Sequence, residues 1–211
     1  MKIDDKELLF SQVKILAGIY ALAALTILGV KMVCTAKGLS LDAMLHDPLT
    51  VAQAPFYIGC LSNLGVLAWA YAASVFFFGW TQALVHSASK EHTKFLFWSW
   101  ILSAALTLDD LFMVHEDVFP SVLGVPQNTA YALYFALMAS YLLAFQKIIR
   151  DKLATILIPG LLFFGLSIVL DEAVTRLPLV LEEGGKLLGI LTWGFYAHSA
   201  ARYYSRGPAN G

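Results

Sequence analysis

Charge is what this sequence has least of. Asp, Glu, Lys and Arg make up 14% of the 211 residues, where a soluble domain carries ~25%. The net charge is −1 and the few basic residues are scattered, which excludes the basic patch a nucleic-acid partner needs. Cysteine is nearly absent, with only Cys34 and Cys60, so no disulfide framework and no paired Cys-x-x-Cys site can be built. There is also no Gly-rich phosphate loop, no His-Glu-x-x-His and no Gly-x-Ser-x-Gly elbow, which removes the common nucleotide, zinc-protease and serine-hydrolase motifs. Bridging the two cysteines would need Cα atoms within ~7 Å, and two free thiols are the expectation.

What remains is apolar. Hydrophobic residues make up 59% of the chain and mean hydropathy is +0.70, in runs long enough to cross a bilayer at ~20 residues each. The pattern predicts an all-α, polytopic bundle of six transmembrane helices in one integral membrane domain, residues 1–211. The spans fall at about 9–34, 55–84, 95–115, 129–149, 153–172 and 179–203. The first is too long for a cleaved signal peptide, and Met32-Val33-Cys34 lacks the small residue that precedes a lipidated cysteine, so this span is expected to stay.

Orientation follows from Lys and Arg, which collect on the cytoplasmic side. Lys90 and Lys94 follow span two, Lys147, Arg150 and Lys152 follow span four, and Arg202 and Arg206 lie in the tail. The opposite loops hold only Lys37 and Arg176. Both termini are therefore expected in the cytoplasm, in a bacterial inner membrane, with membrane lipids and other membrane subunits as partners.

That orientation places the acids together. Asp109, Asp110, Glu116 and Asp117 end span three, Asp171 and Glu172 end span five, and Glu182 and Glu183 open span six, all on the outer side. Ser62 and Asn63 in span two reach the same depth. Ionisable groups at a membrane edge are expensive, at a translocon-scale cost of ~2–3 kcal/mol each at the centre and less toward the interface. Raised carboxyl pKa values, a bound cation or a water-filled vestibule would each relieve that cost. Asp109, Asp110, His115 and Asp171 are the candidate metal ligands. A histidine among carboxylates suits zinc, iron or manganese, and carboxylates alone suit calcium or magnesium. Glu182, Glu183 and Lys186 are the candidate catalytic groups, and Glu182 four residues before Lys186 has the favourable order for an ion pair. Gly160 on span five and Gly189 on span six lie on the same helical stripes and would let helices approach closely.

Blander readings stand beside these. Glu116 and Asp117 fit solvated loop residues, Glu172 and Glu183 fit interfacial charges, and Lys186 fits a structural counter-ion. His115 fits a rim residue as well as a ligand. His86, His92 and His198 lie near the inner ends, away from the acids.

The arrangement Asp109-Asp110-x-Phe112-x-x-His115-Glu116, then Glu182-Glu183-x-x-Lys186-x-x-Gly189, resembles a family of small uncharacterised six-helix bacterial membrane proteins. Glu182-Glu183-x-x-Lys186 alone is similar to the glutamic intramembrane proteases, which implies catalytic glutamates, although their later His and Phe-Glu elements are not in place. The cluster also resembles alkaline-ceramidase-type membrane hydrolases, although the terminal His-x-x-x-His of that group is missing. Three functions follow as expectations. One is a metal-dependent membrane hydrolase, with Glu182 or Glu183 as general base and a divalent cation activating water. The others are a cation or proton transporter, and an accessory subunit of a larger membrane complex.

Overall fold

The computed structural model describes residues 5–151, 153–173 and 179–206. Side chains at 5–12, 15, 43, 151, 168–173, 179, 180 and 182 lie outside the described set. Among the described residues every regular element is a helix: α1 (Asp5–Lys37), α2 (Leu41–Leu45), α3 (Pro48–Val51), α4 (Cys60–Val85), α5 (Lys90–Phe112), a π-helical segment (Val114–Val122), α6 (Gln127–Ala144), α7 (Gln146–Asp151), α8 (Ala154–Ala173) and α9 (Leu179–Tyr204). The all-α class is as expected. Each expected span falls on one of the six longer helices, α1, α4, α5, α6, α8 and α9. Three described stretches are both long and apolar enough to cross a membrane: Leu16–Lys37, Cys60–Val85 and Lys90–Phe112. The last of these stops at Phe112, so His115 lies beyond it.

Two compact units follow one another along the chain, residues 1–58 and 59–211. In the first, α1 is followed by two short helices, and Asp47 caps α3 by accepting from Leu49 N at 2.8 Å and Thr50 N at 3.3 Å. Both cysteines are free.

In the second unit, α9 packs against α4, α5 and α8, and α4 packs against α5. The core between them is aromatic: Trp193 lies 5.8 Å from Phe76 and 5.6 Å from Tyr196, ring centre to ring centre. Burial favours pairing of polar groups, and two serines inside the core are paired across helices, whereas the buried Tyr196 hydroxyl has no hydrogen-bond partner among the described residues. Ser99 and Ser103 donate their hydroxyls back to Phe95 O and Ser99 O. Each serine oxygen is thereby left as an acceptor, for Tyr141 OH at 2.7 Å and Trp193 Nε1 at 3.0 Å. Two serines of α5 thus tie in α6 and α9.

Close approach of α9 depends on positions with no side chain. A Cβ on Gly189 would sit 3.0 Å from the backbone nitrogen of Phe164 and 3.1 Å from Gly160 O, so the two glycines singled out in the sequence do face each other. A Cβ on Gly79 of α4 would lie 2.7 Å from Ala201 Cβ and 3.0 Å from its Cα, atoms that move only if the helices part. Gly79→Ala is therefore expected to destabilise the bundle by about 1–3 kcal/mol. Gly165→Ala, where a Cβ meets nothing within 4 Å, is the matched control. Thermal unfolding in detergent checks this, and equal melting of the two variants would contradict the packing of α4 on α9.

Candidate functional site

The site begins where α5 stops. Met113 adopts the left-handed conformation, φ 48° and ψ 45°, and its N–H returns to Asp109 O. A non-glycine residue there costs ~1–3 kcal/mol and is retained where surrounding contacts compensate. After this reversal the chain enters the π-helical segment, in which Pro120 has no N–H to donate. The effect is to fold His115 back over the last turn of α5.

His115 then meets Asp109 twice. Its backbone N–H reaches Asp109 Oδ1 at 3.1 Å and its ring Nδ1 lies 2.6 Å from Oδ2. An ionised carboxylate only accepts, so Nδ1 carries the proton. Tyr134 of α6 donates to Oδ1 at 2.6 Å. Asp109 and His115 are both buried, and three donors on one carboxylate offset the lost hydration. The far ring nitrogen, Nε2, lies 3.4 Å from Oε1 of Glu116, whose side chain is 52% exposed. Tyr131, whose hydroxyl accepts from Gln127 Nε2 at 2.9 Å, flanks the imidazole at 5.5 Å between ring centres.

A second pair stands beside the first. Lys186 Nζ of α9 donates to Asp110 Oδ1 at 3.0 Å. With Glu183 and Ser62 these two groups line a cleft of about 10 Å³, room for roughly one water. The structure therefore brings α4, α5 and α9 together at the acidic end. Of the candidate residues, Asp109 and His115 form one pair, Asp110 and Lys186 another, and Glu183 lines the cleft. The side chains of Asp171, Glu172 and Glu182 lie outside the described set. Among the described residues, no three His, Cys, Asp or Glu side chains form a group that could hold a metal ion. Elsewhere, His46 Nδ1 sits 3.2 Å from Asp42 Oδ1, and the His92 ring packs on Tyr204 at 4.7 Å.

Sequence reasoning missed Tyr131, Tyr134 and the role of Glu116. The two tyrosines are three residues apart and so share a face of α6, but tyrosine is too common near membrane interfaces for that spacing to signal a site.

Charge around His115 sets its proton affinity. Burial lowers the imidazole pKa, but the hydrogen bond and charge of Asp109, helped by Glu116, outweigh burial and the opposing Lys186, and hold it above 6.5. Because the folded-state value is the raised one, the stability it contributes is complete below about 6.5. That contribution disappears as pH rises through the folded-state pKa. Histidine NMR is expected to place the His115 midpoint above 6.5 and to find it lowered in Asp109→Asn. An unchanged midpoint in the variant would contradict the pairing.

No curated protein and no solved structure matches the chain, so the likenesses to glutamic proteases and ceramidase-type hydrolases rest on the quoted residues alone. A family model described as a domain of unknown function (DUF8692) matches residues 18–200. The chain belongs to that family.

Proposed function

We propose that this protein is a six-span integral membrane protein of a bacterial inner membrane, with both termini cytoplasmic, that binds a divalent cation at its outward-facing acidic end. Support for six spans comes from the outer surfaces of the helices. Leu22 of α1, Phe78 of α4, Ile101 of α5, Phe135 of α6, Leu162 of α8 and Phe195 of α9 are all exposed. Apolar surface on that scale suits lipid and not water.

The observation that carries the cation reading is the Asp109–His115 contact at 2.6 Å. A carboxylate on Nδ1 fixes the tautomer and leaves Nε2 as the free lone pair, the arrangement shared by metal-binding histidines. Nε2 and the half-exposed Glu116 are then the ligands, and Asp109 orients. This differs from the set expected from sequence, in which Asp109 and Asp110 were ligands themselves. Asp110 is engaged by Lys186, and Asp109 by three donors. Asp171 remains a candidate third ligand from α8. A hydrolase built on this site would have Glu183 beside the water-sized cleft as its base. The same full pairing of Asp109 and Asp110 favours a second reading, in which the cluster is a structural network of an accessory subunit.

Metal analysis and calorimetry on detergent-purified protein separate the two. The cation reading expects about one equivalent of zinc, manganese or calcium, with binding that raises the melting temperature by mass action. Affinity should rise with pH through the His115 titration, because the cation competes with a proton for Nε2. Glu116→Gln and His115→Ala are expected to abolish binding, Asp109→Asn to weaken it about 10–100-fold, and Asp110→Asn to change it little. Absence of binding, with melting unaffected by a chelator, leaves the structural network.

A further inference from the structure

The other end of α9 carries a cleft that the acidic site does not use. Along the helix axis Arg202 is about 24 Å from Lys186, at ~1.5 Å per residue. The cleft is open, has a volume of about 400 Å³, and is lined by the basic His198, Arg202 and Arg206, the apolar Leu153 and Phe195, and by Ser199 and Tyr203. His198 and Arg202 are four apart on one face of α9, and Arg206 follows just beyond the end of that helix at Tyr204. Among the described residues none of the three has an ion pair or a side-chain hydrogen bond, and no acid lines the cleft. A helix C-terminus accounts for one basic residue at this place. It does not account for two arginines and a histidine lining one cleft together with Leu153 and Phe195.

The wall continues up the helix. Phe195, Leu191 and Leu188 are all exposed and lie on one face at spacings of four and three. A ligand that satisfies both halves has a phosphate for the arginines and an alkyl chain for the apolar stripe. Guanidinium groups hold phosphate by paired, charge-assisted hydrogen bonds, and basic clefts on the cytoplasmic side of helical membrane proteins suit anionic headgroups. We propose that this cleft is a binding site for an anionic phospholipid, with the headgroup phosphate between Arg202 and Arg206 and an acyl chain along Phe195 and Leu191. The site rests on the membrane reading above and is independent of the cation.

The test is native mass spectrometry of detergent-purified full-length protein offered equal amounts of phosphatidylglycerol and phosphatidylcholine with identical chains. Alkaline-carbonate extraction of the source membranes is done first on every variant. Release of the wild type by carbonate would overturn the membrane reading itself, whereas failure of a carbonate-resistant protein to prefer phosphatidylglycerol overturns only the lipid site. The expected result is retention of phosphatidylglycerol over phosphatidylcholine, reduced about 10–30-fold in the double variant Arg202→Gln/Arg206→Gln. It should be unchanged in Lys90→Gln/Lys94→Gln, which removes the same charge at the start of α5. Equal loss in both double variants would mean a general surface-charge effect and overturn the site. Displacement of the lipid by millimolar inorganic phosphate would assign the arginines to a soluble anion instead and overturn the lipid.

Discussion

A carboxylate buried at the edge of the helix bundle must be given donors, and the arrangement of the acidic end follows from how Asp109 obtains them. Water would otherwise supply several hydrogen bonds, and leaving them unmade costs several kcal/mol for a charged group. The chain supplies three donors, two from His115 and one from Tyr134. Delivering both groups of His115 requires α5 to end at Phe112 and the chain to turn back through a left-handed Met113. Delivering the tyrosine requires α6 to lie alongside. Ser99, ten residues earlier on α5, receives Tyr141 of α6 at 2.7 Å, so α6 is held to α5 by polar bonds at two levels. One constraint thereby fixes a chain reversal, a helix position and the orientation of an imidazole.

Periodic and additive features were legible in the sequence; pairings across the fold were not. The six longer helices fall where the apolar runs place them, because length and hydrophobicity are properties of a contiguous segment. The meeting of Gly160 with Gly189 was visible as stripes on two helices. The meeting of Asp110 of α5 with Glu183 and Lys186 of α9 at one cleft followed from the order of the helices. What escaped was specific contact. The Lys186 ammonium reaches Asp110, 76 positions away, and no local pattern encodes that. The left-handed residue is a methionine, which carries none of the usual signals of glycine or asparagine at such a turn. Asp109 and Asp110 are adjacent and chemically identical, but they diverge by 100° around the helix. One therefore faces α6 and the π-helical segment, and the other faces α9.

The result is a bundle that is electrostatically different at its two ends. Asp109 and Asp110, each held by specific partners, sit at one end of α9 and α5. Arginines without protein partners among the described residues sit at the other. Pairing at the first end removes the cost of keeping acids near lipid, and leaves His115 Nε2 and Glu116 as the polar groups with capacity to spare. Unpaired arginines at the second end suit a surface that meets anionic headgroups. Both functional proposals depend on this polarity being aligned with the membrane, acids outside and arginines inside.

Sidedness of labelling measures that alignment directly. In a background with Cys34 and Cys60 replaced by serine, a single cysteine is placed at Leu123, an exposed position after the π-helical segment. A second protein carries it at Lys90, at the start of α5. The account predicts that an impermeant thiol reagent added to intact cells labels Leu123→Cys, and labels Lys90→Cys only after the membrane is broken. The opposite pattern would put the Asp109–His115 site in the cytoplasm and contradict the account.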